Sequence, residues 1–445
     1  MVCRSMPRTA FPDILLTRYE EIMANVRSTY TDSVNFYGLE DPRELVSRFG
    51  SPLYVYNENV LRQRCRDLTG LSSHPGFCVN YSAKANTNPA LLRIIRSEGC
   101  VVDAMSPGEL HLNALAGFTP EEITYVCNNV SAEELKNAAD HGCVVSVDSL
   151  AQLELFGQVA PGGRVMVRFN PGIGAGHSEK VVTGGKKTKF GVDPDMLPEV
   201  ESIVARHQLR LVGVNQHIGS LFMEAGPYLE AMNILLATAE RLLKLGYPLE
   251  IIDFGGGFGM PYHKYEGQSR MDMEALGKAI HSCLTEWSER TGYKGRFFIE
   301  PGRYVVAECG VVLGTVHATK NNGPHRFAGT DIGFTVLARP MLYDAFHDVE
   351  IYRENGTPDD ATEEQTIVGN ICESGDILAK DRQLPHIEQG DVIAMLDAGA
   401  YGWVMASSYN QRTRPAEVLI GADGKARLIR RRETLEDLAA LLVLD

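Results

Sequence analysis

At 445 residues and a net charge of −14, the chain is too long for one ordinary core and too acidic for a nucleic-acid partner. No apolar run is long enough to span a membrane and no basic-then-apolar leader opens the sequence, so a cytoplasmic protein of two domains is expected, with no membrane partner. Nine cysteines, an odd number without a C-x-x-C pair, fit reduced thiols rather than a disulfide framework or a metal site.

Residues 1–35 include Phe11-Pro-Asp-Ile-Leu-Leu16 and read as an N-terminal extension to which no function is attached. Ser51-Pro-Leu-Tyr-Val-Tyr56 predicts a strand, and a helical pattern through Leu61 and Cys65 follows it. Apolar runs then recur at Phe77–Ala83, Val101–Ala104, Ile123–Cys127, Val144–Val147, Val165–Phe169, Leu211–Val214, Leu249–Phe254 and Phe297–Ile299. Between them lie helically spaced segments, such as Leu229, Met232, Leu235, Leu236 and Leu242. Eight strands alternating with helices predict a (β/α)8 TIM-type barrel, with a doubly wound open sheet as the alternative.

After Arg303 the texture changes. Short β-type runs at Tyr304–Ala307, Val311–Val316, Phe334–Val336, His347–Tyr352, Gln365–Val368, Asp391–Leu396 and Ala416–Ile420 predict an all-β domain. Turns such as Asn355-Gly-Thr-Pro-Asp359 separate them, and Glu433–Leu442 predicts a helix near the end. The expected organisation is an extension over 1–35, strand-forming residues 36–56 joining the β domain, a barrel over 57–303 and a β domain over 304–445.

In such a barrel the chemistry collects where strands end. The first strand runs into Lys84, before a helix that Asn88 caps and Pro89 initiates. An ammonium there is solvated, paired, or a nucleophile whose pKa desolvation lowers. The second strand ends at Asp103, before Ser106-Pro-Gly-Glu109. The fifth ends at Arg168, and the sixth at Gln216-His217-Ile-Gly-Ser220. The seventh ends at Asp253-Phe-Gly-Gly-Gly257, and the eighth at Glu300-Pro-Gly-Arg303. Consecutive glycines let backbone N–H groups close on an anion, and Ser220 adds a hydroxyl. A dinucleotide site is excluded there, because the spacing is not G-x-G-x-x-G. His217 suits stacking on a flat ring or moving a proton, and Glu300 suits holding a heteroaromatic nitrogen protonated. A lysine that can form an imine, a phosphate cradle, a stacking imidazole and such a carboxylate together describe pyridoxal 5′-phosphate.

With these residues assembled, residues 35 to 440 resemble the fold-type III pyridoxal-phosphate decarboxylases of the ornithine, diaminopimelate and arginine group. The motifs are Tyr81-Ser-Ala-Lys-Ala-Asn86, His217-Ile-Gly-Ser220, Asp253-Phe-Gly-Gly-Gly257, Glu300-Pro-Gly-Arg303, Cys372-Glu-Ser-Gly-Asp376, Ala398-Gly-Ala-Tyr-Gly402 and Arg414-Pro-Ala-Glu417. The resemblance implies a homodimer with active sites at the subunit interface. It assigns cofactor attachment to Lys84, ring stacking to His217, and phosphate binding to Ser220, Gly256, Gly257 and Tyr401, with Arg303 beside them. Glu300 matches the partner of the ring nitrogen, and Cys372 the proton donor contributed by the other subunit.

Arg339-Pro-Met-Leu-Tyr343 resembles the segment that family members acting on diaminopimelate use with the arginine of Glu-Pro-Gly-Arg. Arg303 and Arg339 would hold a distal carboxylate, with Tyr343 and Tyr401 in support, and Glu373 would take the distal ammonium. The expected reaction is decarboxylation of meso-diaminopimelate to L-lysine. The alternative is another diamino acid: D-lysine, D-ornithine or carboxynorspermidine. Leu221, where many members have Gln, and Ala406-Ser-Ser-Tyr-Asn410 depart from the family pattern. A non-catalytic relative would lack the lysine, the glycines or the cysteine, all of which are present.

Overall fold

The computed structural model describes residues 29–174, 185, 188–353 and 361–443. Phe11–Leu16 and the Asn355–Asp359 turn lie outside the described residues. In chain order the strands are β1 (Leu53–Asn57), β2 (Phe77–Tyr81), β3 (Val101–Ala104), β4 (Ile123–Val126), β5 (Val144–Val147) and β6 (Arg164–Arg168). There follow β7 (Arg210–Asn215), β8 (Ile251–Asp253), β9 (Arg296–Ile299), β10 (Gly310–Asn322), β11 (His325–Thr330) and β12 (Val349–Tyr352). The last are β13 (Thr362–Val368), β14 (Ile377–Pro385), β15 (Val392–Met395), β16 (Ala416–Ile420) and β17 (Ala426–Arg430).

Strands β2 to β9 close into a parallel barrel in sequence order, β9 pairing back onto β2. All eight apolar runs of the alternating region are the eight barrel strands. Strands covered on both faces read as continuous hydrophobic runs, which is why they were visible. The barrel interior packs Val144, Met166, Val212, Ile251 and Phe298. Its helices start on local side-chain caps: Asn88 accepts from the Ala90 N–H ahead of helix Pro89–Ser97, and Ser106 accepts from the Glu109 N–H ahead of Pro107–Ala116. Such caps satisfy N–H groups that the helix cannot.

The C-terminal region is a nine-stranded sheet ordered β14-β13-β11-β10-β1-β16-β17, with β15 pairing both β10 and β12. Strand β10 ties it together. Its first half pairs β1 and β15, and from Val316 onward, with a register shift before Ala318, it pairs β11. Strand β1 lies antiparallel to β10 and parallel to β16, so a segment ahead of the barrel completes the sheet behind it. Two of the expected β runs are not strands. Arg303–Val306 is a helical turn, wholly buried, and Phe334–Val336 is a turn in which the Asp376 carboxylate accepts the Phe334 N–H at 2.7 Å. A short buried apolar run does not distinguish strand from helix by periodicity.

Within the stretch read as an extension, residues 29–35 pack against the molecule. Thr31 is buried, its N–H and hydroxyl both donating to Glu350.

Candidate active site

The strand ends and the β domain enclose a cavity of about 240 Å³ lined by Ser82, Lys84, His217, Ser220, Gly257, Phe258, Glu300, Gly302, Arg303, Arg339, Tyr343, Tyr401 and Met405. Residues from β2, β7, β8 and β9 ends therefore meet residues of the β domain in one space. Of the residues given a cofactor, substrate or catalytic role from the sequence, Gly256, Cys372 and Glu373 do not line it.

Lys84 sits on a single helical turn, Ala83–Ala85. Asp103, fully buried at the end of β3, accepts from the Ser82 hydroxyl and the Ala83 N–H, both at 2.8 Å, and so fixes that turn. Of the three readings of this lysine, that of a nucleophile rests on a lowered pKa, and no lowering occurs in the protein alone. Burial pulls it down, but Tyr401, Asp103 and Glu300 outweigh burial and hold it above the ordinary lysine value.

The glycine run does two separate things. The Gly256 N–H donates to His217 Nδ1 at 3.1 Å, so it orients the imidazole rather than facing the cavity. An acceptor at Nδ1 places the proton of the neutral ring at Nε2. Burial, with Lys84 and Arg168 nearby, holds the His217 pKa well below its ordinary value. Gly257, at φ 114°, lines the cavity beside Ser220, and a Cβ there would meet the Gly219 carbonyl oxygen at 2.2 Å.

Glu300 is buried beside the Asp253 carboxyl, and among the described residues its Oε1 has no donor within hydrogen-bond reach. Burial, then Asp253, push its pKa well up; Asp253 itself is pushed up to about 7, chiefly by burial. A buried carboxyl oxygen without a partner is costly unless something else satisfies it.

Arg303 and Arg339 share Tyr262. Arg303 donates from Nη1 to the Tyr262 hydroxyl at 2.9 Å and from Nη2 to Ser220 Oγ at 3.2 Å. Arg339 lies over the Tyr262 ring at 4.8 Å and donates from Nη1 to His347 Nε2 at 2.9 Å. Both guanidinium groups are buried, and among the described residues neither forms an ion pair with a carboxylate. Tyr401 packs its ring under Arg303 at 4.9 Å, in a left-handed backbone conformation with φ 56°.

Cys372 and Glu373 are on the surface. Cys372 Sγ lies 3.4 Å from both the Oδ1 and Nδ2 of Asn410, and the Tyr409 hydroxyl donates to Glu373 at 2.6 Å. Sequence reasoning missed Tyr262 and the partnership of His347. Tyr262 lies beyond the glycine run with no motif of its own, and His347 was taken as the start of a strand.

Residues 61–307 match the family described as "Pyridoxal-dependent decarboxylase, pyridoxal binding domain". The chain belongs to the pyridoxal-dependent decarboxylases. It is 40% identical to the diaminopimelate decarboxylase of Methanothermobacter thermautotrophicus over 90% of this chain and 94% of that protein. It is 33% identical to that of Escherichia coli K12 over 91% of this chain and 97% of that one. The crystal structure of diaminopimelate decarboxylase from Helicobacter pylori complexed with L-lysine matches with a TM-score of 0.82 at 31% identity, covering 90% of this chain and 99% of that one. No helix among the described residues is long and apolar enough to cross a membrane.

Proposed function

We propose that this chain decarboxylates meso-2,6-diaminopimelate to L-lysine and CO2, the last step of lysine biosynthesis, using pyridoxal 5′-phosphate. The family and its diaminopimelate-decarboxylating relatives support the reaction. The observation that carries the substrate is the pair Arg303 and Arg339. Two buried guanidinium groups in one cavity, without a carboxylate partner among the described residues, are strongly disfavoured until an anion arrives. With the cofactor phosphate beside Arg303, a diamine whose one carboxylate is lost in the reaction would still leave Arg339 uncompensated; diaminopimelate brings a second carboxylate.

The residues fit the cofactor. The buried Glu300 Oε1, which finds no donor among the described residues, suits a ring nitrogen that carries a proton, and Ser220, Gly257 and Tyr401 suit the phosphate. His217, held by Gly256, offers its ring, and Lys84 offers the amine for attachment. When bound, pyridoxal phosphate supplies an electron sink for the pair left behind by CO2.

The chain's own residues do the rest. Arg303 and Arg339 grip the distal carboxylate, and Tyr343 and Tyr401 line the space beside it. Cys372 of a second copy, with Glu373 on the distal ammonium, completes the site in a homodimer, and Cys372 Sγ delivers a proton to the carbon that lost CO2. Residues 57–303 form the cofactor-binding unit in this scheme, and 304–445, with 36–56, form the β domain, residues 1–35 being an extension. We place the reaction in the cytoplasm.

The test is turnover of meso-diaminopimelate, D-lysine, D-ornithine and carboxynorspermidine by the holoenzyme, measured as CO2 release with the product identified. The reading requires diaminopimelate to have the highest kcat/KM and L-lysine to be its product. A higher kcat/KM for any of the other three would replace it with the alternative substrate.

A further inference from the structure

Arg339 rests on a histidine whose protonation state is fixed by its two neighbours. His347 is fully buried. Its Nδ1 lies 2.6 Å from the Leu396 carbonyl oxygen, which only accepts, so Nδ1 carries a proton. Its Nε2 lies 2.9 Å from Arg339 Nη1, which only donates, so Nε2 presents a lone pair. The ring is therefore neutral and in one tautomer. Burial, with Arg339, Arg303 and Lys264 around it, keeps it so.

The histidine is held from outside the cavity. It precedes β12, and Leu396 follows β15; these strands pair Val349 with Met395, and the Leu396 N–H donates to the Asp348 carbonyl oxygen at 2.9 Å. Arg382 donates from Nη1 to the His347 carbonyl oxygen at 3.2 Å. The edge of the Tyr262 ring meets the imidazole at 5.6 Å and 80°, while the same tyrosine bonds Arg303. A rung of the β sheet thus fixes a ring, the ring fixes one end of Arg339, and Tyr262 couples that arginine to Arg303.

We propose that His347 is a positioning residue for substrate specificity: its Nε2 lone pair holds one end of the Arg339 guanidinium, aiming the remainder at the distal carboxylate. This rests on the reading of Arg339 as a distal-carboxylate ligand. Replacing the acceptor with a hydrocarbon leaves Arg339 charged and present but unaimed, so the loss is confined to ligands that carry the distal carboxylate.

Calorimetric binding of L-lysine, which keeps that carboxylate, and of cadaverine, which lacks it, to the holoenzyme separates the effects. His347→Phe is expected to weaken lysine about tenfold, leave cadaverine unchanged, and raise KM for diaminopimelate more than it lowers kcat. His347→Gln, which can still present an acceptor, is expected to recover most of the lysine affinity. Should the Phe variant not fold, His347→Asn, too short to reach Arg339, carries the same expectation. Lysine affinity retained in His347→Phe or His347→Asn but lost in Arg339→Ala overturns the role of His347 alone. Lysine affinity retained in Arg339→Ala as well overturns the distal-carboxylate reading beneath it.

Discussion

Gly256→Ala isolates a single backbone approach on which the site depends. A Cβ at Gly256 would stand 1.7 Å from the Glu300 carbonyl oxygen and 2.5 Å from its carbon. Ordinary contact begins near 3.4 Å, so the β8 and β9 ends would have to part by 3.4 − 1.7 = 1.7 Å. The bonds that cross this gap are the Glu300 N–H to Gly255 O and the Phe254 N–H to Phe298 O, both at 2.9 Å; the Gly256 N–H to His217 Nδ1 bond, at 3.1 Å, runs to the end of β7 instead. Overpacking costs about 1–3 kcal/mol, and each of the two strained bonds adds about 1 kcal/mol, giving a loss of about 3–5 kcal/mol. His217 loses its orienting donor in the same step, so the cofactor should be held less firmly. Thermal unfolding and visible absorbance after gel filtration read the two effects. Gly226→Ala is the control: it opens the helix Gly226–Lys244, and a Cβ there meets nothing within 4 Å. That change should be neutral or stabilise by about 0.4–1 kcal/mol. A Gly256→Ala protein with the parent's melting temperature and full cofactor would refute the close-approach reasoning.

Three further outcomes follow from the same structure. Arg339→Ala removes a charge-assisted partner of the distal carboxylate and should lower kcat/KM for diaminopimelate by about 10- to 150-fold, the kinetic equivalent of about 1.5–3 kcal/mol; steady-state kinetics on the folded variant check this, and a change under twofold contradicts it. Cys372→Ala should slow turnover while leaving cofactor absorbance intact, and unchanged kinetics would remove Cys372 from the proton transfer. The folded pKa of His347 lies well below the ordinary 6.5, so between those values the unfolded chain holds the extra proton. Stability from His347 is complete above pH 6.5 and falls as pH drops below it, by at most about 1.4 kcal/mol per pH unit. Raised acids such as Glu300 and Asp253 contribute with the opposite sign but are common to both proteins compared. His347→Gln should therefore lose less melting temperature between pH 7 and pH 5 than the parent, and equal losses would contradict the neutral-imidazole assignment.

The barrel was legible because its strands are covered on both faces and its helices carry their own caps at Asn88 and Ser106. Residues at the strand ends could be placed together because the architecture brings strand ends together, whatever lies between them in sequence. The β domain was less legible. Strands β11, β14 and β17 carry exposed or half-exposed polar residues such as Arg326, Lys380 and Arg427, so no apolar run marks them. The helical turn at Arg303–Val306 looked like a strand because every one of its side chains is buried. Burial alone would lower the basicity of Lys84, but the sequence could not weigh Asp103, Tyr401 and Glu300, which three separate segments bring to it. Tyr262 and His347 act through the arginines they hold, a relation with no sequence spacing to reveal it.

Every role proposed for the cavity depends on attachment of the cofactor at Lys84, which borohydride reduction of the holoenzyme followed by peptide mapping reads out. A single pyridoxyl modification is expected on the peptide carrying Lys84, absent from Lys84→Ala. A modification on another lysine, or one that persists in Lys84→Ala, would contradict that attachment.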